Sequence, residues 1–261
     1  MEHVTSADGT RIAVERGGSG PALVVVNGAL SVGTTSNPYG PLLEPRFTLV
    51  RYDRRGRGGS GDGPAYAPEH EIEDLAAVLE AASEDGEAFV IGHSSGAILA
   101  LEAAMRGLPI SRLAVNEPPY IVEGTRHRPP LEIADQISAQ VGAGDREGAL
   151  RTFLTVAVGR PPVAIEHREG SPDWPPMLAV AHTAAYDVAL AGHSEVPADR
   201  LAMLRLPVLV VRGGASFPWI GETARRVADA VPGAELVTLP DQPHSPAPEA
   251  LAPELVRLFP G

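Results

Sequence analysis

A serine set between glycines is the first feature of this sequence that could do chemistry: Gly92-His93-Ser94-Ser95-Gly96. An apolar run, Ala88–Ile91, precedes it, and a small, apolar, helix-like stretch, Ala97–Met105, follows. A chain turning sharply from strand into helix strains the residue at the turn and leaves its neighbours no room for bulk. Glycines meet that demand. The serine would then stand at a helix N-terminus, where the dipole favours negative charge. A hydroxyl placed so is a candidate nucleophile for acyl transfer, provided a base takes its proton.

Eight histidines are available. His244 lies in Pro240-Asp241-Gln242-Pro243-His244, between the last strand-like run and a C-terminal helix. His3, His70, His127, His167 and His193 sit in polar or loop contexts and read as surface residues. His93 lies inside the turn, where its ring would pack. His182 falls in a helical stretch, where packing competes with a place in a pocket. No H-E-x-x-H or similar ligand spacing occurs, so a metal site has no support.

Around these residues the sequence resembles the α/β-hydrolase superfamily over nearly its whole length. Asn27-Gly28-Ala29-Leu30, after the run Ala22–Val26, resembles that family's His-Gly oxyanion loop, with Asn27 where His is usual. Asp53-Arg54-Arg55-Gly56-Arg57-Gly58-Gly59-Ser60 resembles its D-x-R-G-x-G-x-S loop. The resemblance implies Ser94 as nucleophile, His244 as base, and the backbone N–H groups of Ala29 and Ser95 as the oxyanion hole. It also implies an α/β fold: a mostly parallel eight-stranded sheet flanked by helices, with an inserted helical lid.

The acid departs from the commonest family pattern. Gly213-Gly214-Ala215-Ser216 puts Ser216 where Gly-x-x-Asp would supply a carboxylate, and none follows before Glu222. Some members take their acid from the end of the preceding core strand, where this chain has Asn116-Glu117-Pro118-Pro119. Glu117 is therefore the expected acid, orienting the imidazole and stabilising its protonated form. The plain alternative is a surface glutamate ending a strand, and Asp241 is the reserve. Ser rather than Asp at the elbow counts against haloalkane dehalogenases and epoxide hydrolases, which need a carboxylate nucleophile. Gly56-Arg57-Gly58-Gly59-Ser60-Gly61 also fits G-x-G-x-x-G, but Asp62-Gly63-Pro64 follows in place of a helix, so a dinucleotide site is rejected.

The elements that must position these residues alternate. Ala22–Val26, Phe47–Tyr52, Ala88–Ile91, Leu113–Val115, Pro207–Val211 and Glu235–Leu239 read as strands, and Thr10–Glu15 follows the hairpin-turn sequence Ala7-Asp8-Gly9. Ile72–Ala82, Ala97–Met105 and Glu222–Val231 carry helical periodicity. Strands alternating with helices imply a parallel sheet covered on both faces. From residue 123 to 203 only helices are expected, at Leu131–Val141, Glu147–Val158 and Met177–Leu190, jointed at Pro129-Pro130, Pro161-Pro162 and Pro175-Pro176. This divides the chain into a core, 1–122 and 204–261, and a lid, 123–203. Leu131, Ile137, Phe153, Leu154, Leu178 and Tyr186 supply its apolar surface, and Ala181 and Ala185 are expected to face the site.

Composition narrows the chemistry. Among 261 residues there is no Cys, which excludes thiolate nucleophiles and disulfides, and no Lys, which excludes Schiff-base and P-loop chemistry. A formal net charge of -12 argues against nucleic-acid or anionic-membrane partners. No signal peptide and no membrane-length apolar run is visible, so a cytoplasmic location is expected. The expectation is a cofactor-free serine hydrolase cleaving a small-to-medium ester, lactone or thioester through an acyl-enzyme. A non-hydrolytic biosynthetic catalyst, cyclase-like, or a ligand-binding protein on the same fold is the alternative.

Overall fold

The computed structural model describes residues 1–35, 37–63, 65–83, 87–191 and 195–260. His193 lies outside them. Eight strands form one sheet: β1 (Glu2–Thr5), β2 (Arg11–Gly18), β3 (Ala22–Val26), β4 (Thr48–Tyr52), β5 (Ala88–His93), β6 (Ile110–Asn116), β7 (Val208–Gly213) and β8 (Glu235–Leu239). Their spatial order is β1-β2-β4-β3-β5-β6-β7-β8. Every pair from β4 to β8 is parallel, and β2 runs antiparallel to both β1 and β4. The first strand carries no apolar alternation and stays largely exposed, as a short polar edge strand can.

The helices are α1 (Gly40–Leu43), α2 (Pro68–Ala82), α3 (Ser95–Met105), α4 (Ile133–Gly142), α5 (Arg146–Thr152), α6 (Pro162–Glu169), α7 (Trp174–Ala179), α8 (Ala184–Ala191), α9 (Ala198–Leu201), α10 (Ile220–Ala230) and α11 (Pro248–Leu258). Strand side chains alternate between faces, so the continuous apolar runs feed two cores at once. Val24, Val50, Val90, Leu113 and Val210 pack with α2, α3 and α10 on one face. Leu23, Leu49, Ile91, Ala114 and Leu209 pack with Leu43 of α1 and Leu251 and Leu255 of α11 on the other.

Between β6 and β7 the described residues are helical or irregular, and they hold a third core of Ile133, Ile137, Leu150, Phe153, Trp174 and Met177. The expected proline joints are placed differently. Pro162 opens α6, which the sequence reading missed, and Pro175 and Pro176 lie in the first turn of α7. Proline is tolerated there because the first N–H groups of a helix have no partner to lose. The stretch Met177–Leu190 is not one helix. It tightens to a 3₁₀ turn at Ala181–Thr183, where the Thr183 hydroxyl donates to Val180 O at 2.8 Å. Leu190, Leu201 and Leu204 pack into the sheet core rather than the third cluster. No described helix is long and apolar enough to cross a membrane.

Candidate active site

The turn from β5 into α3 has the strain its sequence implies. Ser94 sits at φ 55°, ψ -123°, immediately before the first residue of α3. Gly96 is required: a Cβ there would lie 2.3 Å from Val26 O and 2.5 Å from Asn27 O, a collision of backbones. The Ser94 N–H donates to Asn116 O at 2.9 Å, tying the turn to the end of β6.

Glu117 follows directly, also at positive φ (51°), and is wholly buried. Three donors converge on its carboxylate: Gly213 N–H at 2.7 Å on Oε1, Ser216 Oγ at 2.6 Å on Oε2, and His244 Nδ1 at 2.5 Å, also on Oε2. Ser216 thus stands at the vacant acid position and binds the carboxylate arriving from the neighbouring strand. Gly213 lets the histidine loop come this close, since a Cβ there would lie 2.2 Å from Gln242 O. Asn116 Nδ2 donates to His244 O at 3.2 Å and secures the same loop. Asp241 is exposed and takes no part.

Ser94 and His244 line one cavity of about 870 Å³, together with Gly28, Ala29 and Ser95. No hydrogen bond joins Ser94 to His244 among the described residues, so that link of the expected chain is not made here. The N–H groups of Ala29 and Ser95 have no acceptor among the described residues. The orientation of the Ala29 N–H has a cause. Arg57 Nη1 donates to Gly28 O at 2.8 Å, and in a trans peptide the N–H of the next residue points the opposite way.

Sequence reasoning missed what holds Arg57. Arg54, Arg55 and Arg57 are all buried. Arg54 grips Glu71 of α2 with two hydrogen bonds (2.5 and 2.6 Å), and reaches Asp187 Oδ1 at 2.9 Å and Ser95 Oγ at 3.1 Å. Asp187, on α8, takes Arg57 Nη2 at 2.8 Å and the Ser95 hydroxyl at 2.7 Å. Burial pushes the Asp187 carboxyl up, but Arg57 and Arg54 outweigh it and hold it below its ordinary range. The three arginines were visible in sequence as a loop motif. The carboxylate that Arg54 and Arg57 share was not, because it lies 130 residues from Arg57, while Arg55 pairs with Asp74 and Asp8.

The remaining histidines divide as follows. His93 is wedged between Asn116, whose Nδ2 lies 2.7 Å from its Nδ1, and the His244 ring at 4.8 Å. Burial, then the neighbouring His244, lowers it to about 3. His182 is absent from the cavity wall and sits between Arg146 (2.8 Å) and Asp62 (3.9 Å). His70 is half-buried rather than at the surface. The apolar residues of the helical segment divide as well. Leu131, Phe153 and Leu154 line the cavity, but Ile137, Leu178 and Tyr186 do not. Ala181 and Ala185 are buried in the third core rather than facing the site.

A mostly parallel eight-stranded sheet with a serine at a strained strand-to-helix turn defines an α/β-hydrolase architecture. The chain belongs to the α/β hydrolase family, which it matches over residues 23–256. It is 50% identical to an α/β hydrolase from Sphaerobacter thermophilus, whose crystal structure superposes with a TM-score of 0.94 over 99% of this chain and 100% of that one. It is 26% identical to a 2-(acetamidomethylene)succinate hydrolase from Mesorhizobium japonicum, over 88% of this chain and 84% of that protein. An N-formylmaleamate deformylase from Pseudomonas putida is 36% identical over 48% of this chain and 47% of its own length. These relatives support hydrolase activity.

Proposed function

We propose that this chain is a serine hydrolase of the carboxylic-ester type, with Ser94, His244 and Glu117 as its triad. Ser94 Oγ attacks the acyl carbon while His244 Nε2 takes its proton, and Glu117 holds the imidazole by Nδ1 and stabilises the imidazolium. The N–H groups of Ala29 and Ser95 receive the oxyanion. Water, activated by His244, then releases the acyl group. Catalytic hydrogen bonds are often long before substrate binds, which accounts for the open Ser94–His244 link. The observation that carries the reading is the His244–Glu117 pair, made inside the cavity wall by a carboxylate with no solvent exposure.

Small-to-medium esters, lactones and thioesters suit the cavity. An amide-type acyl group is a second candidate, favoured by the relatives named 2-(acetamidomethylene)succinate hydrolase and N-formylmaleamate deformylase. Fluorophosphonate labelling tests the proposal, since only an activated serine reacts quickly. Wild type should be labelled at Ser94, with labelling lost in Ser94→Ala and slowed in His244→Ala. An unlabelled wild-type protein would overturn the reading.

A further inference from the structure

The cavity carries positive charge in a protein whose formal net charge is -12. Three guanidinium groups line it: Arg126, Arg160 and Arg168. Arg168 has a distant carboxylate, Asp173 at 3.9 Å, with both side chains well exposed. The other two have none. Among the described residues Arg126 donates only to the carbonyls of Ala157 (3.3 Å) and Pro119 (3.2 Å), and its buried Nε has no partner there. Arg160 makes no side-chain hydrogen bond or ion pair among the described residues. Buried charges are ordinarily paired, and the other anionic group of the wall, Asp187, is already taken up by Arg54 and Arg57.

Aromatic rings hold both cations. Arg126 lies over the Trp219 ring at 4.1 Å and Arg160 over Phe217 at 5.3 Å, and the two rings stack at 5.6 Å. Phe217 also meets the His244 ring edge-on at 5.4 Å. Arg160 and the imidazole therefore flank one phenyl ring. Such stacking leaves the N–H edges of a guanidinium free for an acceptor, and its planar fork matches a carboxylate. Burial lowers Arg126 to about 10, and burial with the nearby Arg168 lowers Arg160. Both stay charged at neutral pH and both would gain from an anion.

We infer that Arg126 and Arg160 form a carboxylate-binding subsite, so that the substrate is an acyl compound bearing a free carboxylate a short chain away from the scissile carbonyl. The inference deepens the serine-hydrolase proposal and rests on it for the kinetic test. The probes are p-nitrophenyl esters matched in chain length: the half-esters of glutarate and adipate against the neutral pentanoate and hexanoate. Wild type should favour the half-esters in kcat/KM by at least about tenfold, the scale of a charge-assisted hydrogen bond. That ratio should collapse in Arg160→Gln, whose side chain makes no hydrogen bond or ion pair among the described residues, and in Arg126→Gln, and should fall as salt is raised. Cleavage of both ester classes with a flat ratio overturns the subsite and leaves the serine hydrolase standing. If neither class is cleaved, calorimetry on Ser94→Ala decides separately. Monomethyl glutarate should bind at least about tenfold tighter than dimethyl glutarate, and Arg160→Gln should erase the difference. Equal binding of the two overturns the subsite.

Discussion

Ser216 and Glu117 bring the ends of two neighbouring strands together at one carboxylate. The usual acid position was legible as vacant, and Glu117 was legible as a replacement because it keeps the order serine, acid, histidine. What the sequence could not show is that Ser216 donates to the relocated carboxylate, at 2.6 Å. A serine in a Gly-Gly-Ala-Ser loop carries no pattern that distinguishes a hydrogen-bond donor from a turn residue. The geometry yields two expectations. Glu117→Gln should keep the fold and lower kcat by roughly two to four decades, the scale known for triad acids, whereas Asp241→Asn should leave kcat within about twofold, as an exposed residue should. Adding Ser216→Asp to Glu117→Gln should restore at least about tenfold of the lost rate, because a carboxylate at 216 starts beside the oxygen that now meets His244 Nδ1. Steady-state kinetics with a p-nitrophenyl ester read all three variants. No recovery in the double variant would mean that the two strand ends are not interchangeable supports for the base.

At the scale of elements, the sheet was readable and the helical segment between β6 and β7 only in outline. Ala22–Val26 is a strand at the expected bounds because a buried parallel strand is an unbroken apolar run; Glu235–Leu239 keeps its expected bounds too, although as the edge strand it is mostly exposed. The helices of that segment gave a weaker signal. They pack mostly on each other, so apolar residues occur on more than one face, and periodicity alone does not say which face meets the site. Ala181 and Ala185 accordingly turn inward to the third core, while Ala157, Met177 and Ala189 line the cavity. Ala157→Trp should shift preference toward shorter acyl chains, by about 1–3 kcal/mol per methylene excluded. Ala181→Trp, overpacking the third core, should cost about 1–3 kcal/mol of stability and leave chain-length preference unchanged. A graded p-nitrophenyl ester series and urea melts separate the two outcomes. If Ala157→Trp lowered stability alone, the segment's cavity face would play no part in selection.

For the whole molecule, the site's construction imposes a pH dependence on folding. The Asn116 amide donates through Nδ2 to the His244 carbonyl, which sets its orientation, and the same nitrogen approaches His93 Nδ1. His93 must then present a lone pair, so the folded state requires the neutral ring. Burial and the neighbouring His244 agree, lowering it to about 3 against an ordinary value of 6.5. His182 is lowered as well, by burial and then by Arg146. Between the folded value of His93 and its unfolded one, the unfolded chain binds a proton that the folded chain refuses. Stability is therefore full above about 6.5 and is lost as pH falls toward 3, with a slope of up to about 1.4 kcal/mol per pH unit for each such proton. The window from pH 6.5 to 5 is diagnostic, because carboxylates with depressed values, such as Asp8 at about 2 and Asp187, titrate in the unfolded chain only below it. Urea-denaturation midpoints measured across that window should fall for wild type and fall less steeply for His93→Asn, even if the variant starts from a lower midpoint. Parallel slopes for the two proteins would show that His93 can accept its proton in place, and that the hydrogen bond from Asn116 does not hold the ring neutral.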